Sequence, residues 1–133
     1  KINIILSPAI GGIVVGYEVG RQLGIKTIFA ERLGGKLELR RGFEIPENSN
    51  VLIVEDVITT GKSALECSEL IKTSKSNILG YSCIIDRSDN GILNKGKIVS
   101  QVRLKMETFK DNDLPDELKK IKPTKPGSRN LSK

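Results

Sequence analysis

Four consecutive apolar residues, Val51-Leu52-Ile53-Val54, run directly into two carboxylates, Glu55 and Asp56. A β-branched run with no polar position in it has no face to offer water, so it fits a strand buried on both sides of a parallel sheet. Parallel strands need crossover helices, and the sequence supplies them on either side. Residues 1–6 form a further β-branched run that ends at Ser7-Pro8. After a glycine turn, Ile13, Val14, Tyr17, Val19 and Leu23 recur at helical spacing up to Gly24, a fitting C-terminal stop. Ala64, Leu65, Cys67, Leu70 and Ile71 repeat that spacing after the central strand, and residues 78–85 read as the next strand. Strand-helix-strand units in succession give an α/β class with a central, mostly parallel sheet flanked by helices.

The remaining segments are more polar. Residues 27–30 read as a short strand. Residues 31–44 carry Arg32, Lys36, Arg40 and Arg41 with three glycines, and predict an exposed, mobile loop or ribbon. Residues 98–104 predict an edge strand. Residues 122–129, with Pro123, Pro126 and Gly127 and no apolar residue, predict an extended tail. The expected division is a core over residues 1–109 and a C-terminal helix and tail over 110–133. The chain starts without Met in what reads as mid-strand, so further residues are expected upstream.

Composition excludes several functions. At 133 residues there is room for one ordinary domain. Aromatic residues make up 4% with no Trp, too few to build stacking platforms for single-stranded bases, so no nucleic-acid partner is expected. A net charge of +6 favours anions of any kind, phosphates included. No window is long and apolar enough to span a bilayer, and no secretory signal is recognisable, so a soluble protein is expected. Cys67 and Cys83 have no neighbouring thiol and the chain has no His, which assembles neither a zinc site nor a redox pair and fits a reducing cytoplasm. Without His, the usual general base is missing too. Chemistry here must run on carboxylates, cations and backbone amides.

The place for such chemistry is residues 51–63. Glu55 and Asp56 stand at the end of a buried strand, the edge where open parallel sheets bind ligands. Removing acids from water costs several kcal/mol per ion unless something offsets it, so this pair suits a ligand with hydroxyls or a metal ion. Thr59, Thr60, Gly61, Lys62 and Ser63 follow with consecutive amides, three hydroxyls and a glycine where a helix starts, which together make an anion cradle. Gly61-Lys62-Ser63 also ends a Walker A pattern, but Asp56 occupies the place of that pattern's first glycine, where a carboxylate would repel a triphosphate. The plain alternative is a polar strand end with Ser63 capping a helix. The order of acid, acid and phosphate loop matches a sugar phosphate: carboxylates to vicinal hydroxyls, amides and hydroxyls to the phosphate.

VLIVEDVITTGKS resembles the phosphoribosyl-pyrophosphate (PRPP) motif of type I phosphoribosyltransferases. SPAIGGIVVGYEVGRQLG, FAERLGGKLELRRGF and IIDRS, in that order, resemble the orotate phosphoribosyltransferases, from about Leu6 to Arg87. The resemblance implies the type I fold. It implies that Glu55 and Asp56 hold the ribose hydroxyls and that Val57, Ile58, Thr59, Thr60, Gly61, Lys62 and Ser63 wrap the 5′-phosphate. Thr59 would also approach orotate, and Arg87 would pair with its carboxylate or a ring carbonyl. Taken alone, Arg87 reads as a surface ion pair with Asp86 or Asp89. The turn at residues 9–12 would face pyrophosphate. Asp56 would be catalytic beneath the sugar, and the catalytic cations Arg32 and Lys36 would close over pyrophosphate, often from the partner subunit of a homodimer.

The implied reaction joins PRPP and orotate into orotidine 5′-monophosphate and pyrophosphate, a step of pyrimidine biosynthesis. Mg²⁺ would be held through PRPP and water near Glu55 and Asp56 rather than by a protein cage. No counterpart of the family's N-terminal helix and hood is present in the chain. Two other functions fit part of the pattern: a PRPP-binding regulatory protein without catalysis, and a transferase for a purine base.

Overall fold

The structure, a computed structural model, describes residues 1–88, 93, 97–107, 109, 111–122 and 124. Alternating apolar runs and helical periods produce strand β1 (Ile4–Pro8), helix α1 (Gly11–Leu23), β2 (Lys26–Leu33), β3 (Lys36–Leu39), β4 (Asn50–Ile58), α2 (Lys62–Thr73), β5 (Asn77–Asp86) and β6 (Ile98–Arg103). A short 3-10 turn at Asp111–Asp113 and an exposed helix α3 (Asp116–Lys119) follow. The expected tail falls mostly outside the described residues.

The described strands form one six-stranded sheet in the order β3-β2-β1-β4-β5-β6. All neighbours are parallel except β2 and β3. The chain winds outward from β1 in one direction and from β4 in the other, so the direction of the connections reverses between these two strands. Their C-terminal ends therefore splay apart into a crevice, the usual ligand position in open α/β sheets.

Alternation along β1 assigns its two faces. Ile4 and Leu6 join the buried cluster of Ile28, Ile53, Ala64, Cys67 and Ile71 under α2. Ile5 and Ser7 face α1. Helix α1 departs from expectation in its choice of face. Its buried residues are Gly12, Gly16 and Gly20, while Val14 and Tyr17 are exposed. The glycine stripe lets the helix lie so close to the sheet that a Cβ at Gly16 would fall on Ser7 Oγ, and one at Gly20 on Thr27 Oγ1. Apolar spacing located the helix, and its glycines rather than its apolar residues mark the buried face.

Of the loop or ribbon expected for the charged segment, the structure forms the ribbon. It is a β-hairpin, with Arg32 opposite Leu37 and Leu33 opposite Lys36. Gly34 and Gly35 both take positive φ (56° and 89°), the requirement of a tight two-residue hairpin turn. Leu37 is buried in the core, and Phe43 meets Phe29 edge-on at a centroid distance of 4.9 Å. The hairpin is therefore fixed to the body of the sheet beside α2, where it forms one wall of the crevice.

Candidate active site

Strand β4 continues four residues past the end of its apolar run, and it carries Glu55 and Asp56 within the ladder rather than beyond it. The alternation of a strand sends the two carboxylates to opposite faces. Glu55 is 7% exposed, and its Oε1 is buried without a hydrogen-bond partner among the described residues. Burial, and secondarily the neighbouring Asp56 charge, pushes the Glu55 carboxyl up from 4.5 to about 7. An acid in this condition has an unmet demand for a donor or a cation.

Asp56 is half-buried, and its Oδ1 accepts the Val57 N–H at 2.9 Å. Its carboxylate fills the space that a side chain at Gly11 would need. The turn after β1 and the acidic pair of β4 thus meet across the crevice, and only a residue without a Cβ permits so close an approach.

The loop from Thr59 to helix α2 turns at Gly61, which caps the helix in the left-handed region with φ 68°. No side chain caps α2. Ser63 lies inside the first turn, which removes the helix-cap alternative for that residue. The Thr59 and Thr60 side chains are exposed toward the crevice mouth. Ile58 is buried, so only its backbone can serve a ligand.

Arg32 and Gly35 of the hairpin, together with Glu55, Asp56, Val57, Ile58, Thr59, Thr60, Gly61, Lys62 and Ser63, line one cavity of about 580 Å³. Every residue expected to hold ribose and its phosphate lines it, and so does one of the two expected catalytic cations. An acidic floor, an uncapped helix start and a basic wall around one space of this size suit a phosphorylated sugar.

Residues 1–111 match the family model described as the phosphoribosyl transferase domain. Over 138 aligned residues the chain is 49% identical to the orotate phosphoribosyltransferase of Methylorubrum populi, covering all of this chain and 68% of that protein. It is 46% identical to that of a Thermoanaerobacter species, covering 97% and 68%. The chain belongs to the orotate phosphoribosyltransferase family. It spans about two thirds of the length of these relatives. The family's enzymes are pentosyltransferases of the glycosyltransferase class. Solved structures agree on the fold. An adenine phosphoribosyltransferase from Thermoanaerobacter pseudethanolicus superposes with a TM-score of 0.71 at 18% identity, covering 78% of this chain and 72% of the other. An orotate phosphoribosyltransferase from Aeropyrum pernix superposes at 0.66 and 20%, covering 79% and 62%.

Two residues that the family resemblance singled out lie away from the cavity lining. Lys36 is exposed at the tip of the hairpin, because the buried Leu37 next to it fixes the alternation and turns Lys36 outward. Arg87 stands just past the end of β5, where its backbone N–H donates to Ile58 O at 2.8 Å. The surface pair considered for it with Asp86 is not formed. Asp86 is buried, accepts the Ser88 N–H at 2.8 Å and the Ser88 hydroxyl at 2.6 Å through Oδ1, and faces Arg103 through Oδ2. Asp89 lies outside the described residues. The Nε of Arg87 is buried and has no acceptor among the described residues. The thiols of Cys67 and Cys83 are both buried and free, and burial pushes that of Cys83 up to about 11, so neither supplies a thiolate near neutral pH.

Sequence reasoning missed Gly35 and Glu66. The Gly34-Gly35 pair carried a readable hairpin signal. Glu66, which pairs with Arg32 across 34 residues of sequence, carried none.

Proposed function

We propose that this chain transfers the 5-phosphoribosyl group of PRPP to orotate in the pyrimidine pathway. The convergence of Glu55, Asp56, the Thr59–Ser63 loop and Arg32 on one cavity carries the reading, supported by the identity to named orotate phosphoribosyltransferases. Glu55 and Asp56 receive the ribose hydroxyls. The amides and hydroxyls of Thr59, Thr60, Gly61, Lys62 and Ser63 receive the 5′-phosphate. Arg87, with Thr59, receives orotate. A planar fork whose Nε lacks an acceptor matches a carboxylate.

In the reaction, the bond from the anomeric carbon to pyrophosphate breaks as a bond to an orotate ring nitrogen forms, and that nitrogen's proton is released. Positive charge grows on the sugar and negative charge on pyrophosphate. The carboxylates beneath the sugar and Arg32 beside the leaving group therefore act most strongly at the transition state. The turn at residues 9–12 presents backbone to pyrophosphate, and Lys36, turned away from the cavity of its own chain, acts on pyrophosphate from the hairpin of the partner subunit in the proposed homodimer.

Phosphoribosyltransferases generally work with Mg²⁺. Among the described residues no three His, Cys, Asp or Glu side chains gather into a metal cage. The orphaned Glu55 Oε1 and the Asp56 carboxylate fit a hydrated ion that arrives with PRPP, which is the ordinary habit of Mg²⁺ with phosphorylated substrates. When bound, the ion would neutralise charge on the pyrophosphate.

The catalytic unit is placed within residues 1–109, with 110–133 outside it. A homodimer is proposed, supported by the exposed Val14 and Tyr17 on the outer face of α1. The cytoplasm is the proposed location. Free Cys67 and Cys83 suit it, and no helix among the described residues is long and apolar enough to cross a membrane.

The test is release of pyrophosphate from PRPP and Mg²⁺ by the intact protein, with orotate, adenine, guanine and hypoxanthine offered in turn. Turnover with orotate alone is expected. Turnover with a purine, or tight PRPP binding with no turnover, would contradict the assignment.

A further inference from the structure

Arg32 is the one hairpin side chain that lines the cavity, and it does not reach there unaided. Its Nη2 lies 2.8 Å from Glu66 Oε2 and its Nη1 donates to Glu66 Oε1 at 3.3 Å, while Nη1 also donates to Gly35 O. Glu66 sits one turn into α2, past the phosphate loop, and does not line the cavity itself. Both side chains are largely screened from water, with 34% and 24% exposure, unlike the i,i+3 pair Lys72–Glu69 at 57% and 69%. Screening of that order makes such a pair geometrically more defined than an exposed one.

The geometry of the guanidinium indicates what the pair is for. A guanidinium has five N–H donors on two usable edges. Glu66 and Gly35 engage the two Nη groups, Nη1 through hydrogen bonds and Nη2 through an ion-pair contact in which Glu66 Oε2 accepts no hydrogen bond among the described residues. The side edge, Nε–H with the outer N–H of Nη2, has no acceptor assigned to it among the described residues. An arginine clamped at one edge and open at the other is set to give a two-pronged contact to a phosphoryl oxygen without first being freed.

We propose that Glu66 is a positioning residue, which orients Arg32 at the cavity rim so that its open edge meets the pyrophosphate moiety. This rests on the reading of Arg32 as the cation beside the leaving group. Glu66 touches no substrate and acts only through Arg32, as second-layer partners orient the groups that do. Its removal should therefore matter only while Arg32 is present.

A double-mutant cycle separates the possibilities. Glu66→Gln keeps size and packing and removes the charge. It is expected to lower kcat about tenfold, with the KM for orotate within about twofold, and to lower it less than about twofold when introduced into Arg32→Ala. Glu66→Asp, which retains the charge, should recover part of the loss. An undiminished effect of Glu66→Gln in the Arg32→Ala background would overturn the proposal. So would wild-type kcat for Glu66→Gln alongside an impaired Arg32→Ala. Wild-type kcat for Arg32→Ala would instead overturn the role given to Arg32 itself.

Discussion

Glu55→Gln is expected to make the unliganded protein more stable at pH 8, by about 3 kcal/mol, while abolishing its binding of PRPP. The carboxyl is buried, its Oε1 has no partner, and its pKa stands at about 7 against an ordinary 4.5. A folded state that holds this proton more tightly than the unfolded chain loses stability as pH rises across that window. The penalty is absent below about pH 4.5, grows between 4.5 and 7, and is complete above 7. Each pKa unit is worth about 1.4 kcal/mol, which sets the size of the effect. Glutamine carries no charge at any pH, so the variant's advantage should vanish at pH 4.5 and be full at pH 8. Urea denaturation of both proteins across that range measures it. An advantage independent of pH, or none at pH 8, would refute the strained-acid interpretation. The strain is intelligible as preparation for a ligand, since hydroxyl donors and a cation arriving at the site would relieve it.

Arg87→Ala should raise the KM for orotate about a hundredfold and leave the KM for PRPP within about twofold, because a charge-assisted fork to a carboxylate is worth about 1.5 to 3 kcal/mol. The backbone N–H of Arg87 is tied to Ile58 O, and the turn that follows is held by Asp86 and Ser88, so truncating the side chain leaves the chain path intact. Arg87→Lys should recover only part of the loss, because an ammonium cannot reproduce the planar two-donor contact. Steady-state kinetics with each substrate varied in turn measure the split. Equal losses for both substrates would count against a base-specific role.

Helices α1 and α2 and five of the six strands of the sheet were legible in the sequence because periodicity reports on burial, and burial dominates the architecture. The proposed phosphate-binding segment was legible for a different reason. Its residues are contiguous, so strand end, acids, hydroxyls and glycine lie in register on a single stretch of chain. What escaped notice depended on contacts between distant segments. The buried face of α1 is made by Gly12, Gly16 and Gly20, which have no hydrophobic signature, and only the closeness of Ser7 and Thr27 explains them. The charged ribbon was read as exposed and mobile, and its anchoring in the core by Leu37 and its turn at Gly34-Gly35 were hidden by its charge. The pairing of Arg32 with Glu66 joins β2 to α2, and no local rule relates those two positions. Lys36 looked equivalent to Arg32 in composition, and the alternation of a four-residue strand distinguished them.

The central claim is that the acidic pair and the loop after it form one receptacle for a phosphorylated pentose. Calorimetric titration with PRPP in the presence of Mg²⁺, combined with amide hydrogen exchange over residues 55–63, addresses it directly. One saturable binding event and slowed exchange across that segment are predicted, both lost in Glu55→Gln. Saturation with no change in exchange over residues 55–63, or no heat at all, would contradict it.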